Sequence, residues 1–186
     1  MNKKKVIILG STGGLGSEVE KTLSKIKYKI YSFSSKNLNF LMNDSKKKIN
    51  FYLKKIDPDI IINCSGIFDD NSVNFKRIFD INTKPSWEII NYYINNTPKT
   101  KKLIILIGST AYRGGRKNYI LYSASKAALH SVYLGAKENF NSKIINLKII
   151  HPKKIETKMV NHDKNANVQK VSYYSKKILN IINKNI

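Results

Sequence analysis

The opening sixteen residues constrain this chain more than any other stretch of it. Val6-Ile7-Ile8-Leu9 is a short continuous apolar run, the pattern of a strand buried on both faces. It leads directly into Gly10-Ser11-Thr12-Gly13-Gly14-Leu15-Gly16, after which Leu15, Val19, Leu23 and Ile26 recur at helical spacing. Strand, glycine loop and helix in that order form the first half of a βαβ crossover. Glycine lets the backbone turn sharply and approach a pyrophosphate, while the helix start offers free N–H groups and the positive end of its dipole. Gly10, Ser11, Thr12, Gly14, Leu15 and Gly16 are therefore candidates for cradling a dinucleotide. A glycine pattern alone is weak, and the bland alternative is a turn that binds nothing. The strand–loop–helix context is what the binding mechanism requires.

The rest of the chain repeats the alternation. Strands are predicted at Lys29–Phe33, in the region of Leu38–Leu41, at Ile60–Asn63, Leu103–Ile107 and Ile144–Ile150. Helices are predicted over Ser45–Ile56, over Phe75–Ile94 with an interruption near Pro85, over Ser123–Phe140 and over Val171–Ile182. Six strands alternating with helices imply a single α/β domain over residues 1–186, a doubly wound parallel sheet with helices on both faces. Such sheets bind ligands at the carboxyl ends of their strands.

The formal net charge of +22 raises nucleic acid or an anionic membrane as partners. Of the 34 basic residues, only Arg77, Arg113 and Arg116 are arginine; the rest are scattered lysines in a chain crowded with Asn and Ile. That is the residue bias of A/T-rich codons, and it lacks the arginine that reads bases and phosphates. Nucleic acid is thus a minor reading. No apolar run approaches the roughly 18 residues of a membrane span, and Val6–Leu9 is too short for a signal-peptide core. The single Cys64 cannot form an internal disulfide. Cytoplasm is the expected compartment, and no metal is expected.

Chemistry concentrates later in the chain. Tyr122 and Lys126, four apart, share a helix face. An ammonium beside a phenol favours the phenolate and is expected to lower its pKa toward the range of an acid/base catalyst. Ser109, at a strand end 13 residues earlier, can hydrogen-bond a carbonyl that the tyrosine also reaches. Asn82 lies in a predicted helix where asparagine is mildly disfavoured, and it could hold a water linking the lysine to solvent. Each has a bland alternative: a surface Tyr/Lys pair, a turn-capping serine, a solvated asparagine.

Taken together, in this order, these residues resemble the short-chain dehydrogenase/reductase family, over nearly the whole chain. Gly10-xxx-Gly14-x-Gly16 looks like the family's TGxxxGxG loop. Asn63-Cys64-Ser65-Gly66 resembles its NNAG motif, which borders the cofactor's adenosine side. Asn82, Ser109, Tyr122 and Lys126 match its Asn-Ser-Tyr-Lys tetrad, and Pro152 and Thr157 resemble its PG…T segment over the nicotinamide. The resemblance implies a Rossmann-type NAD(P)-binding domain that moves a hydride between nicotinamide and a small carbonyl or alcohol substrate. Tyr122 would act as acid/base, Ser109 would polarise the oxygen, Lys126 would bind the ribose, and Asn82 would position a relay water.

Cofactor choice is argued locally. An NAD site usually places an acid after the second strand, whereas a 2′-phosphate needs small polar or basic groups. Here that strand runs into Ser34-Ser35-Lys36, which favours NADP over NAD. Asn39 and Phe40 are expected near the adenine. The chain ends about where the family adds a seventh strand, and Lys153 replaces the glycine of the PG pair. The expectation is a short member, with a homodimer through the helices carrying Asn82 and Tyr122 left open. Two rivals remain: a catalytically silent dinucleotide-binding regulator or scaffold, and a basic nucleic-acid-binding protein.

Overall fold

Strand β1 (Lys5–Leu9) lies inside a parallel sheet, with Val6 in register with Ile30 of β2 (Lys29–Phe33) on one side and Ile60 of β3 (Ile60–Asn63) on the other. β4 (Lys102–Ile107) and β5 (Ile145–Ile150) continue outward from β3, giving the order β2-β1-β3-β4-β5. This computed structural model describes residues 3–68, 74–155 and 168–185. Around the sheet are α1 (Gly14–Ser24), α2 (Ser45–Ile56), α3 (Phe75–Asn82), α4 (Lys84–Asn95), α5 (Ile120–Asn139) and α6 (Val171–Asn185).

Because successive side chains leave a strand on opposite faces, one apolar run supplies two cores. Ile7, Leu9, Ile61, Ile104 and Leu106 pack with Ile49 and Leu53 of α2, Ile89 and Ile90 of α4 and Leu129 of α5. Val6, Ile8, Ile60, Ile62 and Ile105 pack the opposite way, against Val19 and Leu23 of α1 and Tyr174, Ile178 and Ile182 of α6. Each fully buried isoleucine contributes about 2 kcal/mol relative to exposure.

The alternating reading holds, with one correction. No strand forms at Leu38–Leu41, so the sheet has five strands rather than six. A parallel neighbour needs a crossover of a dozen or more residues, and only Ser34–Asn37 separates β2 from Leu38. The segment turns instead, and Leu38 and Phe40 pack into the core on the α2 side. The helix break expected near Pro85 falls at Thr83: Thr83 adopts φ −120°, and Pro85 sits in the first turn of α4, where its missing N–H costs nothing.

The chain leaves β1 for β2 on one side and returns to β3 on the other, so the strand order reverses between β1 and β3. The carboxyl ends at that reversal carry Gly10 and Cys64-Ser65-Gly66. The amino ends carry charge instead. The Lys5 backbone N–H donates to Asp59 at 2.7 Å, and Lys102, only 1% exposed, pairs with Asp57 at 2.6 Å.

Candidate active site

The glycine loop meets the expected requirement at two positions. Gly10 has φ +73°, and a Cβ there would lie 2.8 Å from the Ser65 nitrogen; a Cβ on Gly16 would lie 2.1 Å from the Gly10 carbonyl oxygen. Only glycine fits either place. Helix α1 starts with Gly13 as its cap, with no side-chain cap and no acid in its first turn. Its leading N–H groups and dipole therefore suit an anion. Ser11 ties the loop to β2 by donating its N–H to Phe33 at 3.0 Å. Beside Gly10, the Ser65 hydroxyl is buried without a hydrogen-bond partner among the described residues. A cradle that a Cβ would fill and an orphaned hydroxyl next to it fit a bound dinucleotide. Thr12 is exposed. Leu15 is not a surface contact: its side chain is buried in the α1–α6 core, leaving only its backbone toward the loop.

After β2, Ser34, Ser35 and Lys36 form a turn with Ser35 and Lys36 exposed. Asn37 closes it, accepting the Ser34 N–H at 2.7 Å, and Ser34 Oγ accepts the Lys36 N–H at 3.3 Å. The Asn39 side chain caps the next turn by accepting the Leu41 N–H at 3.0 Å. Phe40, expected near an adenine, is a core residue instead. One acid does reach β2: Glu20 of α1 accepts the Ser32 hydroxyl at 2.6 Å, a tertiary contact that strand-local reading misses.

At the end of β3, Asn63 donates to Ser86 of α4 at 2.8 Å and accepts the Ser65 N–H at 3.0 Å, fixing the loop that Gly10 touches. A Cβ on the next residue, Gly66, would lie 3.5 Å from both Asn82 Oδ1 and Lys126 Nζ. Glycine loop, Ser65, Gly66 and Lys126 are thus consecutive neighbours along one edge. The Asn82 side chain is engaged on both sides of its amide. Its amide oxygen accepts the Ile67 N–H at 2.8 Å, and its amide nitrogen donates to the Ile67 carbonyl and to Ser125 Oγ, both at 3.0 Å. With both amide hydrogens engaged, the side chain braces the loop after β3 rather than offering a donor to water. Ser125, fully buried, passes this brace on by donating to the Tyr122 carbonyl at 2.7 Å.

Ser109 and Tyr122 are hydrogen-bonded through their side chains, and Lys126 Nζ lies 5.8 Å from the centre of the Tyr122 ring. Phe68 and Tyr119 pack against that ring at 5.2 and 6.1 Å. The expected depression of the phenol is not found. Burial pushes Tyr122 upward, and the Ser109 hydrogen bond opposes this without winning. Lys126 is held by the Ile107 carbonyl at 3.1 Å, and burial pushes its ammonium down to about 8. Cys64, in the NNAG-like segment, is electrostatically coupled to Lys126. Burial pushes its thiol up to about 12, and the ammonium pulls the other way.

The segment after β5 closes the edge. The Pro152 carbonyl accepts the Thr110 N–H at 3.0 Å, and the Lys153 N–H donates to the Tyr174 hydroxyl at 2.9 Å. Thr157 lies outside the described residues. Among those residues, no helix is long and apolar enough to cross a membrane.

The family model described as short chain dehydrogenase matches residues 41–168. That span contains Asn82, Ser109, Tyr122 and Lys126 and begins beyond the glycine loop. A 3-oxoacyl-[acyl-carrier-protein] reductase, FabG, of Buchnera aphidicola subsp. Acyrthosiphon pisum is 28% identical over 184 residues, covering 84% of this chain and 75% of that protein. Two solved structures share the fold. ElxO with NADP bound has a TM-score of 0.80 at 19% identity, covering 95% of this chain and 90% of its own. A short chain dehydrogenase from Burkholderia cenocepacia J2315 in complex with NADP has a TM-score of 0.80 at 15% identity, covering 98% and 85%.

Proposed function

The chain belongs to the short chain dehydrogenase family, and from that membership we propose that it reduces a carbonyl, or oxidises the matching alcohol, with NADP. The observation that carries this reading is the Ser109–Tyr122 hydrogen bond beside Lys126, on the same strand edge as the Gly10–Gly16 loop. A bound nicotinamide would supply or accept the hydride, and the protein contributes position and electrostatics.

In the reduction direction, Ser109 Oγ and Tyr122 Oη converge on the substrate oxygen. The raised phenol pKa keeps Tyr122 protonated, which suits a group that must donate as an alkoxide develops. Lys126, positively charged at neutral pH despite its burial, would stabilise the phenolate left behind and would hold the ribose. Asn82 acts at one remove, holding Ile67 and Ser125, and through Ser125 the backbone of Tyr122.

Gly10, Gly16, Ser65 and the start of α1 would hold the pyrophosphate and adenosine. Ser34, Ser35 and the exposed Lys36 favour a 2′-phosphate over a bare hydroxyl. The NADP bound in both structural relatives supports the same choice. The FabG relative makes a 3-oxoacyl thioester the first substrate to try. A homodimer through α3 and α5, the helices that carry Asn82 and Tyr122, suits the apolar side chains they leave exposed, Phe75 and Leu134.

The test is a titration with NADPH and NADH followed by nicotinamide fluorescence. A carbonyl panel including acetoacetyl-CoA is then followed by loss of reduced-nicotinamide absorbance. NADPH should bind more tightly and be consumed. Absence of any fluorescence response to either nucleotide would sink the proposal.

A further inference from the structure

His151, the last residue before Pro152, lies directly behind Ser109. Its Nδ1 is 3.2 Å from the Ser109 carbonyl oxygen, and its Nε2 is 3.1 Å from Nδ1 of His130 on α5. Both imidazoles flank the Tyr112 ring with centroids 4.1 Å away. The imidazole sits so close to the chain that a Cβ on Gly108 would lie 2.5 Å from His151 Nδ1. Glycine at 108 thus makes room for this ring at the turn that carries Ser109.

The partners fix the hydrogens. A carbonyl only accepts, so His151 Nδ1 carries the N–H, and in the neutral ring its Nε2 is left as a lone pair. His130 Nδ1 must then carry the hydrogen that points at it. Both rings are held in the Nδ1–H form, the tautomer that free histidine favours less. With both nitrogens engaged, His151 has none free to exchange a proton with substrate. We propose that His151, backed by His130, is a positioning residue that holds the Ser109 turn through its carbonyl, with both rings kept in the Nδ1–H form to do so. This rests on the role given to Ser109 above.

Protonation at Nε2 would reverse the bond between the rings, with His130 moving its hydrogen off Nδ1 to accept across 3.1 Å, while the bond to the Ser109 carbonyl persists. The surroundings keep the ring neutral near pH 7. His151 is pushed below the ordinary histidine range mainly by burial. The Ser109 hydrogen bond opposes this, and His130 and Lys126 on α5 and Arg113 beside Tyr112 add to it. Because the folded value is the lower one, stability from this group is complete above about pH 6.5 and lost as pH falls below it.

Three readouts test the pair: nitrogen–proton correlation spectra of the imidazoles, melting temperature against pH, and NADPH-dependent turnover of acetoacetyl-CoA. The parent should show Nδ1–H forms at both His130 and His151. Both His151→Asn and Gly108→Ala, which displaces the ring but keeps both imidazoles, should return His130 to a tautomer mixture. Between about pH 7 and pH 5 the parent should lose more melting temperature than His151→Asn. His151→Ala should lower kcat about tenfold with NADPH affinity unchanged. His151→Asn, whose amide can donate in place of Nδ1, should recover most of it. A tautomer mixture at His130 in the parent, or a melting difference between parent and His151→Asn that stays constant with pH, would overturn the proposal. If no protein turns over the thioester, the carbonyl-reductase reading fails, while the spectra and melting curves still judge the pair.

Discussion

Two lysines are buried at opposite ends of β4, and their surroundings differ in kind. Lys102 opens the strand at 1% exposure and meets the Asp57 carboxylate at 2.6 Å. Lys126, reaching the other end from α5 at 4% exposure, meets the Ile107 carbonyl, and no carboxylate pairs with it among the described residues. A buried charge with a counter-ion is offset locally; one without is held at a cost that the rest of the fold carries. The amino edge of the sheet closes its charges with Asp57 and Asp59. The carboxyl edge leaves an ammonium uncompensated and a serine hydroxyl unpartnered. Such uncompensated groups mark the edge that waits for a ligand.

The sharpest way to break this contrast is at the reactive edge. Tyr122→Phe should lower turnover about a thousandfold while NADPH affinity by fluorescence stays nearly unchanged, because little contact surface is lost. Comparable activity in that variant would strip Tyr122 of its role.

Next comes the cost of the lone ammonium. The pKa of Lys126 falls from 10.5 to about 8 on folding, so the native state binds fewer protons than the unfolded chain between those values. Stability from this group is therefore low below about pH 8 and recovers as pH rises toward 10.5. Lys126→Met should be inactive yet more stable than the parent near pH 7, by at most roughly 3 kcal/mol. Urea denaturation should show that gap closing by about pH 10. A gap that does not change with pH would place the effect in packing rather than charge.

At the compensated edge the sign reverses. Asp57→Asn, which keeps a residue tolerant of the left-handed backbone found there (φ +47°), leaves the Lys102 charge without its partner. It should cost about 2 kcal/mol in denaturation, with turnover per folded molecule unaffected. The smallest effect is expected at the exposed turn after β2. Lys36→Glu should weaken NADPH about tenfold and NADH much less in the same titration; equal losses would remove Lys36 from phosphate recognition.

Much of this was legible in the sequence, for identifiable reasons. Ile60–Asn63 and Lys102–Ile107 announce themselves because strands buried on both faces tolerate little but apolar residues. The glycine loop is legible because a Cβ at Gly10 or Gly16 collides with backbone, so residue type reports geometry directly. Leu38–Leu41 misled because an apolar pair packing under a turn has the same spacing as one in a strand. What separates the two is crossover length, not periodicity. Asn82 was legible as a site residue, but its brace on Ile67 and Ser125 was not, since sequence cannot say which groups meet its amide. Glu20 against Ser32, Cys64 beside Lys126 and His130 against His151 were invisible for one reason: each joins separate elements, and no local pattern demands it.

Tyr174, buried in α6, accepts the Lys153 N–H and donates to Gln169, while Ile155 bridges to Gln169 across the same gap. One phenol therefore staples together the two places where the chain leaves the sheet edge and rejoins it. Because one hydroxyl serves both places, losing it would loosen the turn after β5 and the approach to α6 together.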